Sequence, residues 1–323
     1  MLYKYLGTAM ALISSKRLYL SYSTLSKDTN LKQSAIKESI IFKTKLYRSF
    51  EIPKRTTGYR SVSIPPPTLS AIQKAIVKRI DKIIKFPNCV HGFVKKKSIL
   101  TNARVHLSGQ KFMKFDLENF FQNITYEQVE KQFSNYVRGW ETLTLIKKCC
   151  FLNNTLPQGA PSSPILSNIA SLGLDEVLTK YAILNNLAYS RYADDITFSG
   201  KKIYFSNFQE VKKLIQNEGF KLNEKKCCLI TKGNKVIVTG ISIGRNKMHL
   251  PKTQKRKLRM DAHFLLKKGA MNENFYKKKF DPFHLDRILG RLSFWLAVEP
   301  DNKFPKFMIK EIVAESKKQK FLN

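Results

Sequence analysis

The chain has 323 residues and carries 58 Lys and Arg against 24 Asp and Glu, which leaves a formal net charge of +34. So large a positive excess excludes an ordinary metabolic enzyme surface and favours a polyanion such as nucleic acid as the partner. Hydrophobic residues make up 43% and aromatic residues 11% of the chain, which excludes intrinsic disorder and predicts one large domain or two closely packed ones.

The sequence predicts a protein of the reducing cytoplasm. Every apolar run is broken before it reaches the roughly 18 residues that a membrane span needs. The N-terminal segment lacks a clear cleavage site for a signal peptide. The five cysteines are odd in number and include two adjacent pairs, Cys149-Cys150 and Cys227-Cys228, which suits neither a disulfide framework nor a zinc site. We therefore expect free thiols.

The first third of the chain reads as helix, hairpin and helix. Residues 1–50 are basic with helix-like apolar spacing, which predicts an N-terminal helical extension. Residues 53–67 combine several cations with Gly58 and end in Pro65-Pro66-Pro67, which predicts a basic hairpin or loop followed by a turn. Residues 69–84 return to helical spacing and present one buried stripe.

The middle of the chain alternates strand and helix patterns. Four strand patterns occur, at Lys111–Leu117, Ala188–Tyr192, Ile196–Ser199 and Val236–Ile243. With helical segments between them they predict an α+β fold. From about Pro251 the chain reads mainly as basic amphipathic helix, with Gly269, Pro282 and Pro300 as breaks.

Two acidic positions stand out against the basic background. Alternation along residues 112–117 places Asp116 off the apolar face, at the end of a strand. Residues 192–195 read Tyr-Ala-Asp-Asp between two strand patterns, which predicts a tight hairpin that presents Asp194 and Asp195 side by side. Adjacent carboxylates repel unless a cation lies between them, and Mg²⁺ prefers such hard oxygen ligands. The alternative is a solvated turn.

A loop rich in proline and serine precedes the acidic pair. Residues 156–164 read Leu-Pro-Gln-Gly-Ala-Pro-Ser-Ser-Pro, which predicts Ser163 as a helix N-cap and Pro164 as the first helical residue. The helix that follows has apolar residues at helical spacing, so we expect it to hold the loop rigidly.

With these segments in order, the chain resembles a reverse transcriptase. Asp116 matches the first palm aspartate of that family, Gln158-Gly159 its template-and-nucleotide loop, and residues 192–195 its Tyr-x-Asp-Asp box. The resemblance implies a right-hand polymerase fold, with fingers and an antiparallel palm sheet in residues 51–250 and a small helical, RNA-binding thumb in residues 251–323.

The resemblance also implies an RNA-directed DNA polymerase with a two-metal mechanism. Asp116 and Asp194 would be direct ligands of two Mg²⁺ ions, and Asp195 would support them. The backbone carbonyl of Leu117 is implied as a further ligand. Lys226 resembles the family lysine near the leaving pyrophosphate and would donate a proton. A solvated lysine is the alternative for that residue.

Nucleotide-binding residues follow from the same resemblance. Lys54, Arg55 and Arg60 lie where the family's fingers carry cations that bind the triphosphate, and their spacing leaves open which one does so. A generic basic surface is the alternative. Phe121 matches the aromatic residue that blocks a ribose 2′-hydroxyl, with a core aromatic as the alternative. Gln158-Gly159 would also contact the nucleotide.

Two shorter matches favour the retron branch over a group II intron protein. They are Asn102–His106 before the catalytic strand and Val238-Thr239-Gly240 after the lysine motif. The residues that the resemblance places against RNA or primer are Asn102, His106, Val238, Thr239, Gly240, Lys255, Arg256 and Lys257. A core histidine is the alternative for His106, and a solubilising basic tail is the alternative for the last three residues.

A retron reverse transcriptase would bind a structured noncoding RNA and use deoxynucleoside triphosphates. It would extend DNA from the 2′-hydroxyl of an internal guanosine, giving a branched RNA–DNA hybrid (msDNA), in antiphage defence with a separate effector protein. Two other functions compete with this one. An RNA-directed RNA polymerase shares the palm but usually has Gly before the Asp pair, and a non-catalytic RNA-binding scaffold could keep the same fold.

Overall fold

The chain folds as a mixture of helices and antiparallel strands, as its sequence predicts. The structure, a computed structural model, describes residues 17–54, 58–231, 236–244, 246–276 and 282–320. Side chains are described within these ranges except at 268–276 and 316–320.

Two units make up the chain, and each has its own core. Unit 1 comprises Met1–Ser98 and Gly109–Thr231, and unit 2 comprises Ile99–Ser108 and Lys232–Asn323. The predicted boundary between palm and thumb, after residue 250, does not coincide with the boundary between these units. The division into fingers, palm and thumb therefore stays a prediction.

Helices and strands are numbered here in chain order. The α-helices are α1 Tyr22–Thr29, α2 Gln33–Ile41, α3 Lys43–Leu46, α4 Pro67–Ile80, α5 Ile99–Arg104, α6 Phe120–Asn123, α7 Tyr126–Phe133, α8 Trp140–Cys150, α9 Ser163–Ala170, α10 Leu172–Leu184, α11 Phe205–Asn217, α12 Lys252–Tyr276, α13 His284–Val298 and α14 Lys303–Lys320. The strands are β1 Arg48–Pro53, β2 Tyr59–Ile64, β3 Lys111–Asp116, β4 Ala188–Tyr192, β5 Asp195–Gly200, β6 Cys228–Thr231, β7 Val236–Val238, β8 Ile241–Gly244 and β9 Lys247–His249.

The centre of unit 1 is a four-stranded antiparallel sheet in the order β4-β5-β3-β6. The middle strands β3 and β5 carry the alternating apolar residues that the sequence predicts, and these side chains are buried against helices. Phe115 stacks on Phe208 of α11 with ring centroids 5.0 Å apart, and it meets Phe198 edge to face. Aromatic packing therefore fixes the sheet against α11, so the residues at the ends of its strands have defined positions.

The described part of the N-terminal segment belongs to the core of unit 1. Helices α1 and α2 pack against α4, and Leu18, Leu20 and Leu25 are almost completely buried. Leu18 also forms a parallel bridge with Val137. The helices predicted in residues 1–50 are thus present from residue 22, while residues 1–16 lie outside the described residues.

Two helix boundaries differ from the prediction. The N-cap of α9 is Ser162, and Ser163 is already helical with its hydroxyl donating to the Pro157 carbonyl at 2.7 Å. Both serines have small polar side chains, so the sequence alone does not separate them. Helix α12 continues through Gly269, because a single glycine weakens a long helix without ending it.

Unit 2 combines a three-stranded sheet with the helices α5, α12, α13 and α14. The sheet has the order β7-β8-β9, and the segment with the strand pattern Val236–Ile243 forms a hairpin that turns at Thr239 and Gly240, whose φ angles are 45° and 85°. Helices α12, α13 and α14 enclose a core that includes Leu258, Leu292, Trp295 and Ile312. The helical pattern predicted beyond residue 251 is confirmed.

Other predictions about the chain as a whole can be checked directly. All five cysteines lie in the described ranges and are unpaired, as predicted. Of the helices in those ranges, none combines the length and the apolar character that crossing a membrane requires.

Candidate active site

Three aspartates meet at one end of the sheet in unit 1. Strands β4 and β5 form a hairpin that turns at Ala193 and Asp194, and we call residues 188–200 the carboxylate hairpin. Asp116, at the end of β3, lies directly opposite Asp195 in the antiparallel register. The Leu117 amide donates to the Asp194 carbonyl at 3.0 Å. The register therefore brings together all three carboxylates that the sequence singles out.

The turn of the carboxylate hairpin has an unusual backbone. Ala193 has φ of 56°, in the left-handed region that favours glycine. Such a conformation costs a non-glycine residue about 1 kcal/mol or more, so neighbouring structure has to enforce it. Gly92 packs against this turn so closely that a Cβ on Gly92 would lie 2.5 Å from the Ala193 nitrogen.

The electrostatics of the site show an excess of buried negative charge. Burial, followed by the neighbouring Asp195 carboxylate, raises the pKa of Asp194 to about 6. Burial also raises the pKa of Asp195, with Lys114 acting in the opposite direction. The charged forms of both carboxyl groups are therefore destabilised, and a bound cation would stabilise them. Lys114, which the sequence analysis did not select, belongs to this site by its effect on Asp195.

Lys226 already supplies one positive charge. Its ammonium group donates to both carboxylate oxygens of Asp116 at 2.9 Å, and this hydrogen bonding raises the pKa of Lys226. Backbone hydrogen bonds hold the segment of Lys226 close to Asp116. The Asn223 amide donates to the Asp116 carbonyl at 2.8 Å, and the Lys226 amide donates to the Asn223 carbonyl at 2.9 Å. Lys226 is thus placed at the carboxylates, although its side chain is 60% exposed.

The chemistry of this donor set fits a divalent cation. Three carboxylates supply the hard oxygen ligands that Mg²⁺ prefers. Among the described residues, no three or more His, Cys, Asp and Glu side chains are already arranged around one point as a metal cage. Since Lys226 binds both oxygens of Asp116, a metal ion at Asp116 would have to share that carboxylate with the lysine or displace it.

The hairpin formed by β1 and β2 is joined to the loop that the sequence analysis singled out. The Ser63 amide donates to the Gln158 carbonyl at 2.7 Å, and a Cβ on Gly159 would lie 2.9 Å from the Ser63 carbonyl oxygen. Gly159 has φ of 119°. Glycine is therefore required here both by the backbone conformation and by the close approach of β2.

Of the predicted triphosphate-binding cations, two can be placed. Arg60 lies on β2 opposite Ile52, and the Lys54 amide closes the hairpin turn onto the Gly58 carbonyl at 2.9 Å. Both side chains are exposed, whereas Arg55 lies outside the described residues. Ser63, which contacts the Gln158 loop, is on the same strand as Arg60, so the hairpin and the loop form one structure.

Two adjacent phenylalanines have different environments. Phe120 is only 6% exposed and belongs to the core, whereas Phe121 is half-buried beside it. Phe93 packs against Phe121 with ring centroids 6.1 Å apart, is itself 46% exposed, and has φ of 60°. A bulky residue held in that conformation is a mark of functional sites. Sequence analysis missed Phe93, because φ cannot be inferred from a single phenylalanine.

In unit 2, the structure does not support direct RNA contacts for three of the predicted residues. Asn102, His106 and Val238 are each 0% exposed. Asn102 donates to the Thr239 hydroxyl at 3.3 Å, and that hydroxyl donates to the Ile99 carbonyl at 3.3 Å. The two motifs therefore hold each other in place, and a ligand could reach the partly exposed Thr239 and the exposed Gly240 at the turn.

The three predicted RNA-binding cations of α12 also differ from one another. Lys255 donates to the Glu299 carboxylate at 2.8 Å and lies 5.6 Å from the centre of the Trp295 ring. Arg256 and Lys257 are exposed. The charge of Lys255 is therefore paired with Glu299 within unit 2. A helix places every third or fourth residue inward, and residue 255 faces the core side.

One buried ion pair near the turn was also missed. Arg191 of β4 and Asp175 of α10 are both fully buried, and they lie 2.6 Å apart. The sequence did indicate that Asp175 needs a buried partner. Asp175 occupies the same helix stripe as the buried Leu172 and Leu178, and a charged residue on an apolar stripe needs a buried partner.

The chain is similar to known reverse transcriptases over most of its length. Residues 52–258 match the family model described as reverse transcriptase (RNA-dependent DNA polymerase). The chain is similar to the Retron Ec83 reverse transcriptase of Escherichia coli, with 31% identity over 288 residues, 82% of this chain and 89% of that protein. It is similar to the Retron Ec86 reverse transcriptase of Escherichia coli, with 30% identity over 85% of this chain and 83% of that protein.

Among solved structures, a telomerase from Candida albicans in complex with a fragment of telomeric RNA matches with a TM-score of 0.46. That match has 10% sequence identity and covers 82% of this chain and 62% of the telomerase chain.

Proposed function

Because this chain belongs to the reverse transcriptase family and is an RNA-directed DNA polymerase of the bacterial retron type, we propose that it copies a structured noncoding RNA into single-stranded DNA. The resemblance, fold class and enzyme class predicted from its residues are thereby confirmed. Similarity to retron reverse transcriptases over more than four-fifths of the chain supports the proposal about the RNA.

The proposed primer is the 2′-hydroxyl of a guanosine inside the same RNA, so that the product is a branched RNA–DNA hybrid (msDNA). Structured RNA is recognised largely through its shape, phosphates and 2′-hydroxyls, which suits a chain with a net charge of +34. We place this activity in the cytoplasm, in antiphage defence with a separate effector protein. Five unpaired thiols suit that reducing compartment.

The carboxylate geometry carries the proposed chemistry. Asp116 and Asp194 would hold two Mg²⁺ ions, with Asp195 and the Leu117 carbonyl as further ligands. Bound there, the metal supplies activation of the attacking hydroxyl and stabilisation of charge on the leaving pyrophosphate. The protein contributes the fixed positions of the carboxylates, because β3 and β5 are in register at Asp116 and Asp195.

Other residues of unit 1 would bind and orient the nucleotide. Lys226 would give a proton to the leaving pyrophosphate, and its hydrogen bond to Asp116 supports this role. Lys54, Arg55 and Arg60 would bind the triphosphate, and the Gln158-Gly159 loop would position the nucleotide. Phe121 would exclude a 2′-hydroxyl.

The regions would then have separate tasks. Residues 51–250 would serve as fingers and palm, and residues 251–323 as a thumb that binds RNA. Arg256 and Lys257 are exposed on α12 and are the cations of that segment we assign to RNA phosphates. Thr239 and Gly240, at the turn of the β7–β8 hairpin, would contact the primer strand.

The decisive experiment removes two carboxylates. Purified protein with Mg²⁺ and its RNA should incorporate deoxynucleotides, and the double variant Asp194→Ala plus Asp195→Ala should reduce incorporation by about a thousandfold or more. RNA affinity should be unchanged. As a matched control, Asp81→Ala plus Glu176→Ala also removes two acidic residues of unit 1 and should leave incorporation unchanged.

Four results would overturn parts of the proposal. Normal synthesis by the carboxylate variant would refute the assigned site. Preferential use of ribonucleotides would point to an RNA-directed RNA polymerase, and RNA binding without incorporation under Mg²⁺ or Mn²⁺ would point to a scaffold. A DNA product joined to RNA by an ordinary 3′–5′ linkage, shown by its resistance to a 2′–5′ debranching enzyme, would refute the branched primer alone.

A further inference from the structure

The carboxylate hairpin rests on a buried polar network. Arg191 binds Asp175 through two parallel hydrogen bonds, from Nε to Oδ1 at 2.8 Å and from Nη2 to Oδ2 at 2.6 Å. The Tyr189 hydroxyl donates to the same Asp175 carboxylate at 2.7 Å. Arg191 and Asp175 are both 0% exposed, so the pair lies entirely inside unit 1.

The third nitrogen of the guanidinium reaches both the turn and helix α9. Nη1 of Arg191 donates to the Ala193 carbonyl at 3.2 Å and to the side-chain oxygen of Asn168 at 3.1 Å. Asn168 in turn donates to the Gly92 carbonyl at 2.9 Å. Gly92 packs on the Ala193 nitrogen. The network therefore holds both the carbonyl and the amide side of Ala193, the residue immediately before Asp194.

Stability alone does not account for this arrangement. Replacing a buried ion pair by apolar residues of similar size is often neutral or stabilising, because two charges have to be removed from water. A guanidinium, however, offers several donors in a rigid plane, and four hydrogen bonds from this one join helix α10, helix α9 and a strained turn. The feature that needs such a device is the left-handed conformation of Ala193.

We propose that Arg191, held by Asp175 and Asn168, is a positioning residue that fixes the Ala193 turn and thereby the place of the Asp194 carboxylate. This inference rests on the proposed role of Asp194 in the site. Arg191 touches no reacting atom. Its effect passes through the backbone on both sides of Ala193, so its loss should impair the chemical step more than the binding of RNA or nucleotide.

The test uses the full-length protein and the double variant Arg191→Met plus Asp175→Leu, which replaces the ion pair by apolar side chains. We expect RNA affinity to stay near the wild-type value and the protein to stay folded, with a melting temperature lower by only a few degrees, because the Tyr189 hydroxyl and the Asn168 oxygen each lose one partner. We expect kcat for single-nucleotide incorporation to fall by about a hundredfold with KM for the nucleotide little changed, because the carboxylate is misplaced. Mn²⁺ titration of the protein alone, followed by electron paramagnetic resonance, should show weaker binding.

A third substitution distinguishes positioning from a general loss of structure. Adding Ala193→Gly to the double variant lowers the backbone cost of the turn, so kcat should recover by about fivefold. As a matched control, Arg79→Met plus Asp28→Leu removes another Arg–Asp pair of unit 1 and should leave kcat and Mn²⁺ binding unchanged.

The outcomes separate this inference from the proposed function. Wild-type protein that fails to incorporate nucleotides would refute the proposed function. Active wild type together with an equally active double variant would refute only the role of Arg191. If the double variant does not fold, Arg191→Lys decides the question. It keeps the charge beside Asp175 but cannot also reach the Ala193 carbonyl, so unchanged kcat in that variant would overturn the inference.

Discussion

The carboxylate hairpin of unit 1 and the basic face of α12 in unit 2 hold their functional groups in opposite ways. Around Asp194 the backbone is fixed by strand pairing, by Gly92 and by a buried guanidinium. On α12 the charges of Arg256 and Lys257 stand in solvent. Phosphoryl transfer needs atoms placed to a fraction of an ångström, whereas binding of phosphates needs positive charge within reach. The two regions therefore differ in how much surrounding structure each functional residue requires.

After the loss expected for the carboxylate variant, the next largest effect concerns the choice of sugar in unit 1. Phe121→Ala should raise the relative use of ribonucleotides by about a hundredfold, because the side chain that would exclude a 2′-hydroxyl is gone. The measurement is kcat/KM for a ribonucleotide and for the matching deoxynucleotide on one RNA template.

Phe120→Ala is the matched control for this variant. Phe120 is buried in the core, so its truncation should lower the free energy of unfolding by about 3 kcal/mol and leave the sugar preference unchanged. If the two variants change sugar preference equally, the assignment of Phe121 is wrong.

A smaller effect should come from the exposed cations of unit 2. Arg256→Ala plus Lys257→Ala should weaken RNA binding by about tenfold and reduce the slope of log K against log salt by about 1 to 2. Nucleotide incorporation at saturating RNA should stay unchanged, because unit 1 is untouched. Binding titrations at several salt concentrations would measure this, and an unaltered slope would argue against phosphate contacts.

The smallest effect should come from Lys255, which lies beside these cations but faces inward. Lys255→Met breaks the ion pair with Glu299 and should lower the free energy of unfolding by about 1–2 kcal/mol, seen as a drop in melting temperature. The salt slope of RNA binding should not change. Lys252→Met, which removes an exposed charge from the same helix, provides the comparison, and equal melting temperatures for the two variants would contradict the structural role.

The carboxylate site was predictable from the sequence to a large extent. Period-two alternation placed Asp116 at a strand end, and an acidic pair between two strand patterns predicted the hairpin, which the register confirms. The local sequence pattern was sufficient to predict this hairpin, because two strands joined by a two-residue turn can pair in few other registers. The roles assigned to individual site residues stay predictions.

What the sequence did not reveal depends on contacts between distant segments. Arg191 reads as one more cation in a basic chain until α10 places Asp175 beside it. Lys255 and Arg256 are neighbours in sequence, and the position of Glu299 decides which of them is used inside unit 2. Burial of Asn102 and His106 likewise follows from the packing of unit 2, which a five-residue motif does not contain.

The buried position of Leu18, Leu20 and Leu25 has a practical consequence for fragment design. A shortened protein cut to residues 52–258, the limits of the family match, would lose the side chains that cover α4 and would end inside α12. Such a fragment would expose a wide apolar surface and is expected to aggregate when expressed. Truncation experiments on this enzyme should therefore keep residues 17–50, even though they lie outside the matched region.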